Sequence, residues 1–241
     1  MMMKLSNIIK ETKNTWRFYF KPKNKINFTP GQYISLELPI HEKIKKRIRH
    51  YSIANSPSQE ELELVIVKKP GGKGTEYLFN LPLNEEVKLG HIPSGIMTLG
   101  KNTLKNYIFI CTGTGISPFK SMLEYIRENK IETGDIHLVF GTRDKENIIY
   151  YNEMIQLEKD IPQFKYHIIL SREKWNNKQG YVHSIYKKII NDYFTQIEEG
   201  NYNELDNEFY ICGWKDMVRE SRANLIELGF SPSQIKIEVY E

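Results

Sequence analysis

A change of hydrophobic period near residue 100 limits this chain's fold more than any other feature. From Lys4 to about Leu99 the apolar residues alternate, as with Ile34, Leu36 and Leu38 in GQYISLELP and Leu62, Leu64 and Ile66 in ELELVIVKK. That is the period of a half-buried strand. Pro-Gly, Asn-Ser-Pro and Gly-Gly breaks separate the runs, so this half reads as an antiparallel sheet or barrel.

From Tyr107 onward the pattern becomes strand, glycine-containing turn, helix, repeated. YIFICT is a continuous apolar run, as a strand buried on both faces requires, and Phe119, Met122, Leu123 and Ile126 then share one helical stripe. IHLVF, KYHIIL, EFYIC and IKIEV follow as strands, with helical patterns over Asn147 to Lys159, Val182 to Ile190 and Lys215 to Leu228. Gly229 is placed to stop the last of these. The expected fold is two-domain β plus α/β. A Greek-key antiparallel β-barrel over 1–102 precedes a five-stranded parallel α/β sheet over 103–241, joined near Gly100 to Lys105.

Composition excludes other classes. Fifteen Tyr and eleven Phe are too many for a disordered chain, and no apolar run approaches the roughly 18 residues of a membrane span. Two cysteines cannot build a disulfide framework or an iron-sulfur site. The six histidines show no metal-binding spacing, so no metal is expected. MMMKLSNIIKETKN lacks a signal peptide's apolar core, which points to the cytoplasm; a monomer is expected. The net charge of +4 is too small for a nucleic-acid binder, but five of the seven residues from Lys43 to Arg49 are basic. That lobe is either a solvated loop or a steering patch for an acidic partner.

In an α/β sheet, ligands lie at the carboxyl ends of strands. Cys111-Thr-Gly-Thr-Gly-Ile-Ser-Pro118 opens a strand into a helix: Gly113 and Gly115 let backbone approach a diphosphate, and Pro118 suits an early helical position. Ser171-Arg172 after KYHIIL suits a phosphomonoester, unless Arg172 merely pairs with Glu173. Cys212-Gly213 ends another strand, where Cys212 is either a small buried residue or a chemical one. In the first half, Arg49-His50-Tyr51-Ser52 reads as a strand, and Gly71-Gly72-Lys73-Gly74-Thr75 as a hairpin turn or a loop presenting N–H groups to phosphate.

Taken together, RHYSIANS, GGKGTEYL, CTGTGISPF, LSRE, FYICG and the terminal EVY resemble, in order, the plant-type ferredoxin-NADP reductase family. The resemblance implies bound FAD, NADPH as reductant, and an acidic one-electron carrier, ferredoxin or flavodoxin, as partner. By it, Arg49 pairs with the FAD diphosphate, Tyr51 packs on the flavin, Ser52 bonds near its reactive nitrogen, and His50 lies between them. Lys73, Gly74 and Thr75 hold phosphates, while Ile66, Val67 and Lys68 line the adenosine. Gly113, Thr114 and Gly115 receive the nicotinamide dinucleotide with Thr142 and Arg143; Ser171, Arg172, Lys178 and Tyr181 match the 2′-phosphate site. Cys212, with Gly213, and Glu238 match residues beside the nicotinamide, and Tyr240 the ring that covers the flavin.

The chain departs from the family in three ways. Glu241 follows the terminal Tyr, and the chain is shorter than plant-type members. Trp214 replaces a smaller residue, which is expected to reshape the adenine side. The competing functions are a free-flavin reductase or oxygenase reductase component, and a non-catalytic nucleotide-sensing subunit.

Overall fold

The computed structural model describes residues 1–100, 104–198 and 207–240 of the 241. Two compact units emerge: Met1–Leu99 with Ser117–Glu128, and Gly100–Ile116 with Asn129–Glu241. Among the described residues, no helix is long and apolar enough to cross a membrane.

The first unit contains β1 (Met2–Lys10), β2 (Thr15–Pro22), β3 (Tyr33–Glu37), β4 (Ile48–Ser52), β5 (Leu62–Val67) and β6 (Glu86–Ser94). They form one antiparallel sheet in the order β4-β3-β6-β1-β2-β5. β6 returns by a long connection to lie between β3 and β1, the non-sequential return of a Greek key. An Ile53–Leu64 bridge and the Ala54 N–H to Glu63 carbonyl bond of 2.8 Å join the two edge strands and close the barrel. The alternation expected from sequence points inward: Ile34, Leu36, Leu62, Leu64 and Ile66 are buried together with Phe18 and Phe20.

One element escaped the periodic reading. The segment after Gly71-Gly72 is a helix, α1 (Lys73–Phe79), rather than a hairpin turn. It forms because Leu78 and Phe79 bury against the barrel, Phe79 lying 4.4 Å from the Trp16 ring and 5.4 Å from Phe18.

The expected stripe of Phe119, Met122, Leu123 and Ile126 belongs to α2 (Ser117–Asn129), and all four are buried. Up to Glu128 this helix packs with the barrel unit, and an ion cluster anchors it. Lys120 Nζ lies 2.7 Å from Glu124 Oε1, 3.0 Å from Glu63 Oε2 and 3.3 Å from the Ala54 carbonyl. The Ser56 N–H and Ser121 hydroxyl complete it, donating to Glu124 and to the Asn55 carbonyl. Burial alone would push the Lys120 ammonium down; Glu63 and Glu124 outweigh it and hold it up. Removing one partner from such a cluster leaves buried charge uncompensated, at about 3–5 kcal/mol.

The second unit holds β7 (Asn106–Thr112), β8 (Ile136–Thr142), β9 (Phe164–Leu170), β10 (Asn207–Trp214) and β11 (Ile235–Tyr240), all parallel, in the order β11-β10-β7-β8-β9. β8 and β9 step away on one side of β7 and β10 returns to the other, which puts the topological switch point between β7 and β10. The helices are α3 (Tyr151–Asp160), α4 (Val182–Glu198) and α5 (Lys215–Glu227). Ile108, Ile110, Phe209 and Ile211 share a core with Tyr186, Ile190 and Leu225.

α3 starts later than expected from Asn147, because the Asp144 side chain caps a short 3-10 turn over Lys145–Asn147 and Tyr150 then adopts φ 58°. α4 runs past Ile190, since buried Tyr193 continues its stripe. α5 stops as expected: Gly229 N–H bonds to the Ile226 carbonyl and Phe230 N–H to that of Leu225, a Schellman motif.

A polar chain crosses from β9 to α4. His137 Nδ1 lies 2.9 Å from His167 Nε2, His137 Nε2 lies 2.8 Å from the Tyr193 hydroxyl, and that hydroxyl donates to Asp135. With the Tyr193 proton given to Asp135, His137 must donate from Nε2 and accept at Nδ1, so His167 carries its proton on Nε2. A proton added to His137 Nδ1 meets that N–H head on. Burial first, then His167, push the His137 pKa down to about 4; Asp135 opposes this and Lys165 adds to it. His167 is lowered mainly by burial, against the pull of Glu158 and with Lys178 and Lys165 adding. The unfolded chain therefore binds more protons than the folded one below pH 6.5, and stability falls as pH drops from there toward 4. The expected loss is about 2–3 kcal/mol, read as the urea midpoint against pH; an equally steep profile in His137→Phe would refute this account.

Candidate functional site

At the switch point two turns meet. β7 ends in Thr112 and passes through a 3-10 turn, Gly113–Ile116, into α2; β10 ends in Cys212-Gly213-Trp214 and passes into α5. A Cβ on Gly115 would stand under 3.0 Å from the Cys212 carbonyl oxygen, and one on Gly213 under 3.0 Å from Thr112 Oγ1. The Trp214 N–H donates to that same hydroxyl at 3.3 Å. Gly115 is thus glycine first for the fold, while Gly113 is the one whose missing side chain leaves open space, with only Trp214 Nε1 near at 4.0 Å. Thr114 sits between them in the same turn, and Pro118 is the second residue of α2.

Strand register brings the next group together. Cys212 is opposite Cys111 on β7 and Glu238 on β11, and Trp214 is opposite Tyr240. Burial pushes the Cys212 thiol well up, and the Glu238 charge adds to this; a hydrogen bond with Tyr240 works the other way. The thiol stays protonated and is no nucleophile. Glu238 and Tyr240 are half-buried, and Glu241 lies outside the described residues.

The ends of β8 and β9 form a second cluster. Ser171 N–H bonds to the Thr142 carbonyl at 3.0 Å and Arg172 N–H to that of Arg143 at 2.9 Å, extending the ladder past the sheet. Glu173 accepts from the Lys145 backbone N–H, and among the described residues Arg172 has no ion pair. The alternative of an Arg172–Glu173 salt bridge is therefore not what the structure forms. Trp175 and Lys178 exchange backbone bonds across Asn176-Asn177, whose φ values of 47° and 63° make a two-residue hairpin. Gly180 N–H then returns to the Leu170 carbonyl. This Asn-Asn turn, unread in the sequence, carries Lys178 and Tyr181 back to the β9 end. Arg143, Arg172, Lys178 and Tyr181 are exposed there, the composition a phosphomonoester needs.

Trp214 does not belong to this second cluster. β10 is three strand positions from β9, roughly 14 Å at about 4.8 Å per strand. Trp214 ends β10, on the other side of β7 from these exposed cations.

In the first unit, Arg49 and Tyr51 alternate with His50 and Ser52 along β4. Arg49 Nη1 donates to the carbonyls of Lys46 and Ile48, and its side chain covers the start of α1, where a Cβ on Gly74 would lie 3.1 Å from Nε. Tyr51 packs on the barrel core, and burial pushes its phenol up to about 12. His50 turns to the other face, where it bonds Ser35 Oγ at 2.8 Å and meets the Tyr33 ring edge-on. Burial first, then His91 and Arg49, lower its pKa. Ser52 is buried at the strand end. The Thr75 hydroxyl is occupied within the glycine turn, donating to the Gly72 carbonyl and accepting from Lys69 N–H. Ile66 is buried, Val67 is 41% exposed, and Lys68 Nζ lies 5.7 Å over the Phe79 ring. Two cations, Arg49 and Lys73, thus flank the first turn of a helix kept open by Gly74. That donor set fits the diphosphate of FAD.

Residues 2–96 match the family model of an oxidoreductase FAD-binding domain and residues 109–223 that of an oxidoreductase NAD-binding domain. Flavohemoprotein B of Dictyostelium discoideum is 26% identical over 98% of this chain, which spans 58% of that protein. Ferredoxin--NADP reductase B of Sorangium cellulosum is 30% identical over 89% of this chain and 86% of its own. Among solved structures, the ferredoxin-NADP+ reductase from Plasmodium falciparum with 2′P-AMP shares the fold, with TM-score 0.81 and 22% identity over 99% of this chain and 95% of that one.

The two glycines of the β7 turn should respond differently to substitution. Gly113→Ala meets open space at φ 54° and should cost about 1–2 kcal/mol. Gly115→Ala drives a methyl into the Cys212 carbonyl and should cost about 3 kcal/mol or more. Chemical denaturation decides, and equal costs would contradict the interlock.

Proposed function

We propose, from the premise that the chain belongs to the ferredoxin-NADP reductase family of FAD- and NAD(P)-binding oxidoreductases, that it passes electrons between NADPH and a small acidic one-electron carrier, a ferredoxin or flavodoxin. The observation that carries this reading is the grouping of Cys212, Glu238 and Tyr240 beside the Gly113 turn.

FAD, when bound, supplies the conversion between a hydride pair and single electrons. The chain's residues do the rest. Arg143, Arg172 and Lys178 bind the 2′-phosphate, and the Gly113 turn admits the dinucleotide's diphosphate. Arg49 and Lys73 bind the FAD diphosphate, and Tyr51 packs on the flavin ring. Cys212 fixes the depth at which the nicotinamide rests, Tyr240 offers its ring at the end of β11, the Ser52 hydroxyl offers an exchangeable proton at the end of β4, and the Glu238 carboxylate accepts one on β11. Two buried free thiols suit a reducing compartment, the cytoplasm in this reading.

The carrier's docking patch follows from which charges of the basic lobe are spare. Arg47 donates to the His41 and Glu42 carbonyls and Arg49 to those of Lys46 and Ile48, so both guanidinia hold the loop itself. Lys43, Lys45 and Lys46 are exposed and form no ion pair among the described residues. These three lysines meet the carrier.

The purified protein should carry a flavin spectrum that NADPH bleaches faster than NADH. Arg172→Ala should raise the KM for NADPH about tenfold or more while leaving that for NADH nearly unchanged, since a charge-assisted phosphate contact contributes about 1.5–3 kcal/mol; equal effects on both would sink the 2′-phosphate assignment. Replacing Lys43, Lys45 and Lys46 by Glu should slow carrier reduction at low salt and spare ferricyanide reduction. An unchanged carrier rate would remove the lobe from the docking surface.

A further inference from the structure

Trp214 is the large side chain at the ligand edge that the fold does not use. It is 60% exposed although it stands between a buried strand and α5, and it precedes that helix without a side-chain cap. Among the described residues its indole N–H has no acceptor and its ring no aromatic neighbour. Yet its backbone is fixed. Its backbone N–H is tied to Thr112 Oγ1, Gly213 before it packs against that same hydroxyl, and its Nε1 lies 4.0 Å from the Cβ position of Gly113, above the open part of the turn. An aromatic ring on an anchored backbone, left bare beside a ligand turn, is a binding surface, because covering it releases water from a large apolar face and gives the N–H a partner.

Strand order says which part of a ligand it covers. Trp214 ends β10, next to β11 and opposite Tyr240, while the exposed cations Arg143, Arg172 and Lys178 gather at the far edge, at the ends of β8 and β9. A dinucleotide anchored by its 2′-phosphate at Arg172 crosses the ends of β8 and β7 before it reaches Trp214. We infer that Trp214 binds the nicotinamide half of the dinucleotide, its indole face against the ribose-nicotinamide portion and its N–H serving the diphosphate. The residue thereby supplies affinity that does not depend on the 2′-phosphate.

This inference rests on the reading that the nucleotide lies along these strand ends, and one titration series separates the two. NADP+ and 2′-phospho-AMP, which has the adenosine half alone, are titrated into the FAD-loaded protein by calorimetry. Trp214→Ala should weaken NADP+ about tenfold and leave 2′-phospho-AMP within about twofold. Trp214→Leu, which keeps apolar bulk but loses the ring and N–H, should show the same split and serves if the alanine variant folds poorly. Equal weakening of both ligands, or of neither, overturns the assignment. Arg172→Ala tests the underlying reading: it should weaken both ligands, and if it weakens neither, the nucleotide lies elsewhere and the inference falls with it.

Discussion

No Cβ atom fits at Gly115 or Gly213, where the β7 and β10 turns touch, and the carboxyl edge of the second unit's sheet depends on that closeness. Gly115 lies against the Cys212 carbonyl and Gly213 against the Thr112 hydroxyl. A side chain at either position would pry the turns apart, and with them the register that sets Cys212 beside Glu238 and Trp214 beside Tyr240. Cys212 is completely buried there, and burial keeps its thiol protonated.

A second constraint acts on the helix that leaves the same turn. α2 carries an apolar stripe of the kind that buries against any apolar surface, and such stripes choose partners loosely. Its polar residues choose more strictly. Lys120 finds two carboxylates and a carbonyl, and Glu124 finds the Ser56 N–H, in one arrangement only. Beyond them, Arg17 approaches Glu63 at 3.8 Å and pairs with Glu11, so charges of alternating sign run from the β1–β2 loop to α2. Desolvation makes such a chain a poor source of net stability, and its worth lies in fixing one register of the helix on the barrel.

Elements long enough to show a period were legible in the sequence. Ile34, Leu36 and Leu38 alternate over a whole strand, and YIFICT is apolar throughout because both its faces are covered. α1 was not legible, for its two turns follow a Gly-Gly pair and its burial is earned by Trp16 and Phe18, more than fifty residues away in sequence. The His137–His167 contact was invisible for a related reason: parallel register across a crossover brings those side chains together, and no local spacing encodes it. The Lys120 cluster is not written in local spacing either, because Glu63 reaches it from a different element. The side of the sheet edge on which Trp214 lies depends on strand order, which the residues next to it in sequence do not record.

Charge needs the same three-dimensional reading. The segment from Lys43 to Arg49 holds five cations in seven residues, yet backbone carbonyls engage both arginines and Glu37 stands 3.9 Å from Arg47. At the β9 edge the opposite happens: Glu173 would neutralise Arg172 in sequence but is drawn off by the Lys145 N–H, which leaves the guanidinium without an ion pair among the described residues. One basic run is weaker than it reads and one lone arginine is stronger. In both cases the deciding partner is a backbone group, which no count of charged side chains includes. The positive potential available to a ligand is therefore set by how the loops fold, and a net charge of +4 says little about where it acts.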